Sequence, residues 1–379
     1  MKSKEKITRI LIIAFCIRFV LLLVDQYLIT LPQGGRDAKV FEMLAYLIST
    51  SNYDSGVLYY ISSGQNLLAL FGSFIYFVIG REPLILGLLN VFLGVYVVKL
   101  VFRSSFLLWR DYKIASKAAW FAAIFPTLVL HSSIFLREIP INVFLLLAII
   151  SFIKYQQSYK KINLFWLFFY VIVASILHNG IVFIFLSFIL VLIFQKNKNL
   201  KIKQTFFSRL FTALIIISTI FIINYSGIAM NKIGGSFDNS ILVFELSEAR
   251  ESEGNTAFPS WLRISSISDE FWKLPLRIVA FIYSPLIPFL VTSPYHLLGL
   301  VDSVLYLILF KRIFSHWKFL QRNPGAKSIL IMTLVLIFIF SLSVSNVGTS
   351  IRHRAKFAPL LIILFLPKKV KYNSINYKI

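Results

Sequence analysis

Runs of roughly 15 to 20 apolar residues recur along this chain, separated by short polar stretches. They are longer than soluble strands or helices need and predict membrane-spanning helices, because a segment in lipid must satisfy its own backbone hydrogen bonds. Ten spans fit, at about 8–30, 84–102, 115–133, 138–153, 162–178, 181–195, 206–224, 296–311, 327–344 and 355–367. The ten-residue alternation of barrel strands is absent. The expected fold is an all-α integral membrane protein, one polytopic domain over 1–379. It has about 10 transmembrane helices plus two external interfacial or re-entrant helices, with both termini cytoplasmic.

The polar stretches fix this topology. MKSKEK and the basic clusters at 103–117, 154–161, 196–209, 311–327 and 368–378 all fall on one face. Two further apolar stretches, about 64–80 and 276–292, would place basic loops outside if they spanned, so the charge rule makes them external or re-entrant. Pro275, Pro285, Pro288 and Pro294 suit a broken helix in the second. Two external loops result, about 31–63 and 225–275. No internal repeat is visible.

Composition changes the picture in one respect. The chain is 58% hydrophobic and carries a net charge of +23, which in a soluble protein would suggest nucleic acid. Here only Glu5 and Asp111 share the basic face, so the charge is positive-inside bias and no nucleic-acid partner is implied. The single cysteine, Cys16, forbids an intrachain disulfide. The first apolar run carries Arg9 and Arg18 and no small-residue cleavage site, so it is expected to be retained. Walker A, HExxH and GxSxG patterns are absent, and no Cys/His spacing suggests zinc. No cofactor is identified and a divalent metal is left open.

The candidate chemistry lies where positive-inside bias should deplete cations. In NVGTSIRHRAKFAPLLIILF, residues 346–365, Arg352, His353, Arg354 and Lys356 map to the outer side. Arg137, Arg36, Arg263 and Arg277 join them, with His131, His178 and His296 on the same rim. A guanidinium fork matches phosphate oxygens bidentately, so Arg137, Arg277, Arg352, His353 and Arg354 are candidates for a lipid-linked phosphate or pyrophosphate. The alternative is that outer arginines snorkel to headgroups or pair with Glu42, Glu82 and Glu138. Asp37 suits either a general base or a helix N-cap. Glu138 suits a catalytic carboxylate or the ion-pair partner of Arg137, and the pair is the preferred reading. His178 suits catalysis or capping at a span end. Asp302 and Arg18 lie within apolar segments, where ionisable groups need a partner; Asp302 is expected near a rim arginine, and Arg18 has no evident partner.

Three stretches, GRDAKVFEMLA, SFIYFVIGREPLILGLLNVFLGV and FPTLVLHSSIFLREIPINVFLLLA, resemble the first external loop and following spans of GT-C-class glycosyltransferases. The ending NVGTSIRHRAKFAPLL is similar to O-antigen or capsule repeat-unit polymerases of the Wzy type. The resemblance implies a multi-pass enzyme of the bacterial inner membrane. Its substrate would be a polyprenyl-(pyro)phosphate-linked glycan in membrane lipid, with a chain-length regulator as a further partner. Asp37 stands where the class keeps its catalytic acid, without a second adjacent acid. A single-sugar transferase using a polyprenyl-phosphate donor, or a lipid-linked oligosaccharide flippase, is the alternative.

Overall fold

The computed structural model describes residues 2–50, 66–194, 257–262, 267–286 and 293–366. Among them the chain is helical with no strand; an isolated bridge joins Ala257 to Asn346. The helices are α1 (Lys2–Tyr27), α2 (Lys39–Ser49), α3 (Asn66–Ile79), α4 (Pro83–Trp109), α5 (Tyr112–Ile124), α6 (Pro126–Ser133), α7 (Glu138–Ser158), α8 (Lys161–Leu177) and α9 (Ile184–Phe194). After the undescribed stretch come α10 (Ile267–Tyr283), α11 (Pro294–Ser315), α12 (Trp317–Arg322), α13 (Pro324–Ser343), α14 (Val347–Arg354) and α15 (Ala358–Leu364).

The boundaries follow local chemistry. Asp111 caps α5 by accepting from the Lys113 and Ile114 amides at 2.6 and 3.0 Å, and Asn346 caps α14 through the Gly348 amide at 2.8 Å. Pro83, Pro126, Pro294 and Pro324 sit at first helical positions, where the missing amide costs nothing. Helices α4 and α7 end on the left-handed residues Arg110 and Tyr159.

Among the described residues four helices, Glu5–Tyr27, Pro83–Trp109, Glu138–Ser158 and Pro324–Ser343, are long and apolar enough to cross a membrane. A fifth forms if α5 and α6, bent by 57° at Phe125, count as one span. Several of the ten expected spans take another form. Helix α8 is 17 residues long, α9 follows a tight turn over Asn179–Phe183, and α11 carries Asp302, Lys311 and Arg312. The last run becomes the seven-residue α15, buried on every side. An apolar stretch can be hydrophobic all round because protein, rather than lipid, surrounds it. Pro275 lies inside α10 without ending it. The run 206–224, the loop 225–256, Arg263 and residues 287–292 lie outside the described residues.

Helix α7 is central: 78% of its apolar window is buried, against 22% for α1. At one end of the bundle the Trp109 indole donates to Ile363 O at 2.8 Å, Asn323 Nδ2 donates to Leu108 O at 3.2 Å, and Gln156 Nε2 reaches Ser328 Oγ at 3.2 Å. These bonds gather the α4/α5, α7/α8 and α12/α13 junctions. The opposite end gathers Gly34–Ala38, the α6/α7 turn, the end of α8 and the α14/α15 turn. Two small apolar clusters flank this second end. One packs α2 and α3 on Ile134, Phe135 and Leu136; the other packs Phe258 and Leu262 on Tyr295, Val347 and Ile351.

The α5/α6 break accounts for Arg18. Pro126 has no amide to offer Ala122 O, and the Thr127 amide turns to Asp302 Oδ1 at 3.4 Å, away from Ala123 O. The Arg18 guanidinium fills both vacancies, donating to Ala122 O at 3.2 Å and Ala123 O at 2.8 Å. The carboxylate sits at the positive start of α6 and the guanidinium at the negative end of α5, each favoured by the helix dipole. Gly94 makes the crossing: a Cβ there would lie 2.3 Å from Ser132 Cβ and 3.0 Å from Arg18 Nε.

A candidate anion site at the start of helix α7

Asn90, buried on α4, sets the geometry. Its amide donates to Ile134 O at 2.6 Å and Leu136 O at 2.9 Å, pinning the turn that delivers Arg137 and Glu138 to the start of α7. Glu138, fully buried, lies where the helix dipole favours a carboxylate. One turn on, Asn142 donates to Ala355 O at 3.2 Å and so holds the α14/α15 turn against α7.

That turn supplies the cations. Arg352 Nε donates to Glu138 Oε1 at 2.6 Å, and Lys356 Nζ lies 3.5 Å from the same oxygen. Arg352 Nη1 also pairs with the Asp37 carboxylate from the Gly34–Ala38 segment. The side chains are layered: Glu138 is 0% exposed, Arg352 13% and Asp37 44%. Burial pushes the Arg352 guanidinium down to about 10, so it keeps its charge at neutral pH.

Arg137 completes the cluster differently. It is buried, donates through Nη1 to Leu177 O at 3.3 Å, and holds its guanidinium 5.9 Å from the Phe41 ring. No carboxylate lies within ion-pair distance of it among the described residues, and its Nε has no acceptor there. Next to Leu177, the His178 ring sits 5.0 Å from that of His353, and both pack on Phe340 at 5.5 and 4.9 Å. His178 Nδ1 accepts from the Gly180 amide at 3.2 Å, so the neutral ring carries its proton on Nε2 and presents a donor there.

Six of the eight sequence candidates therefore meet: Asp37, Arg137, Glu138, His178, Arg352 and His353. Two readings change. Glu138 pairs with Arg352 and Lys356 and leaves its neighbour Arg137 aside, because consecutive residues at a helix start point about 100° apart. No side-chain bond caps α2, so Asp37 pairs instead of capping. Glu42, offered as an arginine's partner, is gripped by Arg81 at 3.0 and 3.1 Å while the Tyr76 hydroxyl donates to it at 3.0 Å.

Arg277 and Arg354 stand apart, bonded to main chain. Arg354 donates to Ile282 O, Ser284 O and Gly299 O at 2.5–2.7 Å, beside Tyr306 and near Asp302. Arg277 donates to Leu262, Ser341, Leu342 and Val344 carbonyls and to Ser345 Oγ at 3.0–3.1 Å. His131 contacts the Tyr295 hydroxyl at 3.3 Å, and the His296 amide is capped by Ser293.

Sequence reasoning noted Lys356 in the basic cluster but left it out of the anion-site candidates, and it passed over Asn90, Asn142 and Phe340. Lys356 had a usable signal, since its spacing of four from Arg352 places both on one side of a helical stretch. Asn90 and Asn142 are single polar residues inside apolar helices, the type that binds freed carbonyls nearby. Among the described residues no three His, Cys, Asp or Glu side chains form a metal-binding group. No protein family, curated protein or solved structure matches the chain.

Proposed function

We propose that this chain is a membrane glycosyltransferase that polymerises polyprenyl-diphosphate-linked oligosaccharide repeat units at the outer face of a bacterial inner membrane. One observation carries the reading: Arg137, a buried guanidinium with no carboxylate partner among the described residues, lies in the same cluster as Arg352 and Lys356. Burying an uncompensated cation is costly, so such a site favours an incoming anion. Polymerisation rests on the sequence resemblance, and the anion preference is supported by the geometry.

In this reading Arg137, Arg352 and Lys356 hold the donor's diphosphate, and Nε2 of His178 donates to one of its oxygens. Glu138 orients Arg352 and Lys356. The bond between the anomeric carbon and the diphosphate oxygen breaks, and its electron pair leaves with the polyprenyl diphosphate. The acceptor hydroxyl oxygen bonds to that carbon and its proton passes to Asp37, the half-exposed carboxylate at the mouth. Cations preorganised around the departing diphosphate supply the main stabilisation.

Replacing Arg137 or Arg352 with Ala and examining the host's surface-glycan ladder tests the proposal. Single-repeat products support polymerisation; loss of all surface glycan indicates an earlier transfer or flipping; an unchanged ladder from both variants refutes the site. Sidedness is tested by placing Cys at position 353 in a Cys16→Ser background. Labelling by an impermeant maleimide from outside is expected.

A further inference from the structure

The outer carboxylate of the cluster has a second role that rests on the reading above. Arg352 is shared by two carboxylates of unlike character. Glu138 is sealed inside and fixed at the start of α7, whereas Asp37 arrives from the solvent side on a separate segment. Asp37 and Phe41 are four residues apart, so they occupy one side of a helical stretch. Asp37 sits on Arg352 and Phe41 sits over Arg137. One short segment thus covers both guanidinium groups of the candidate anion site.

We infer that the Asp37 carboxylate occupies the place of a donor phosphate, and that an isoprenoid diphosphate displaces it from Arg352, freeing the base in the act of binding. A carboxylate and a phosphate present the same pair of oxygens to a guanidinium, but a diphosphate brings more charge and more acceptors. While paired, Asp37 directs its lone pairs at Arg352, where they are engaged. Once displaced, it stands beside the bound diphosphate with those lone pairs available to an acceptor hydroxyl. The displacement sets an order, donor before acceptor, and keeps the base occupied when no donor is present. The segment follows Gln33, whose φ is +73°, and two glycines, while its near end is tied by the Leu31 amide to Asp25 at 2.7 Å; displacement of Asp37 requires only that its half-exposed side chain leave Arg352, with Phe41 still packed below.

The test measures binding of farnesyl diphosphate to the purified full chain in detergent, with transfer assayed in parallel. Asp37→Asn keeps the shape and removes the competing charge. It is expected to tighten farnesyl diphosphate binding about twofold to fivefold, in line with loss of a partly exposed ion pair, while abolishing transfer. Asp37→Ser serves as a second variant should the first fail to fold, and Arg352→Ala is expected to lose binding in either background. Unchanged or weaker binding by both Asp37 variants, with wild-type binding intact, overturns the displacement and leaves the anion site standing. Absence of binding by the wild type and both variants overturns both.

Discussion

Four arginines of this bundle, fully or largely withdrawn from solvent, fall into two groups that differ in what they bind. Arg18, Arg277 and Arg354 donate mainly to main-chain carbonyls at a helix break or helix end. Arg352 donates to carboxylates that belong to other elements. A carbonyl is fixed by the fold and has no substitute, so the first group is structural. A carboxylate can be exchanged for another anion, so the second group can turn over. Burial and charge alone do not separate a site from a staple; how fully fixed carbonyls engage the guanidinium does, and Arg137, with one bond of 3.3 Å to Leu177 O against three to five for Arg18, Arg277 and Arg354, falls with the site.

The contrast is broken most forcefully by Arg354→Ala. It leaves three buried carbonyls without donors, and we expect a loss of about 3–5 kcal/mol, at about 1–3 kcal/mol per orphaned group with partial relaxation. A detergent thermal melt and the monodisperse yield should both collapse. Arg352→Ala should weigh the other way, with the proposed transfer falling about 100- to 1,000-fold and a smaller loss of stability, because Lys356 still faces the buried Glu138. Asn90→Ala should be intermediate, because it loosens the turn that aims Arg137 and Glu138. A melt lowered by about 1–3 kcal/mol with a clear drop in turnover is expected. Tyr76→Phe removes one bond to Glu42 in the α2–α3 hairpin and should cost about 1 kcal/mol with activity unchanged. The pH profile sharpens the comparison further. Arg352 is cationic below about 10, so diphosphate affinity should stay flat through the neutral range and decline as the pH rises through that value.

Helical character was legible in the sequence, because apolar run length is a local property, and six of the eight charged or imidazole candidates singled out there do come together. The joining of Arg352 to Glu138 across 214 residues was not; it depends on how α14 folds back on α7, which no periodicity encodes. Four or five of the described helices meet the length and apolarity of a span, fewer than the ten runs expected, for a related reason. The run ending in α15 reads as lipid-facing in one dimension, yet its surroundings are other helices. Arg18 had no visible partner because its acceptors are backbone atoms created by a proline more than a hundred residues away.

That last arrangement bears on how the chain is made. The guanidinium of the first long helix meets its distant acceptors only after residues 122 and 123 have been synthesised and have entered the bilayer. Until then, a charge in the middle of an apolar segment has only its own helix to satisfy it, with Ala14 O at 3.1 Å. The first helix is therefore expected to wait at the translocon or the lipid boundary and to settle together with the broken pair, making assembly of this bundle a concerted event.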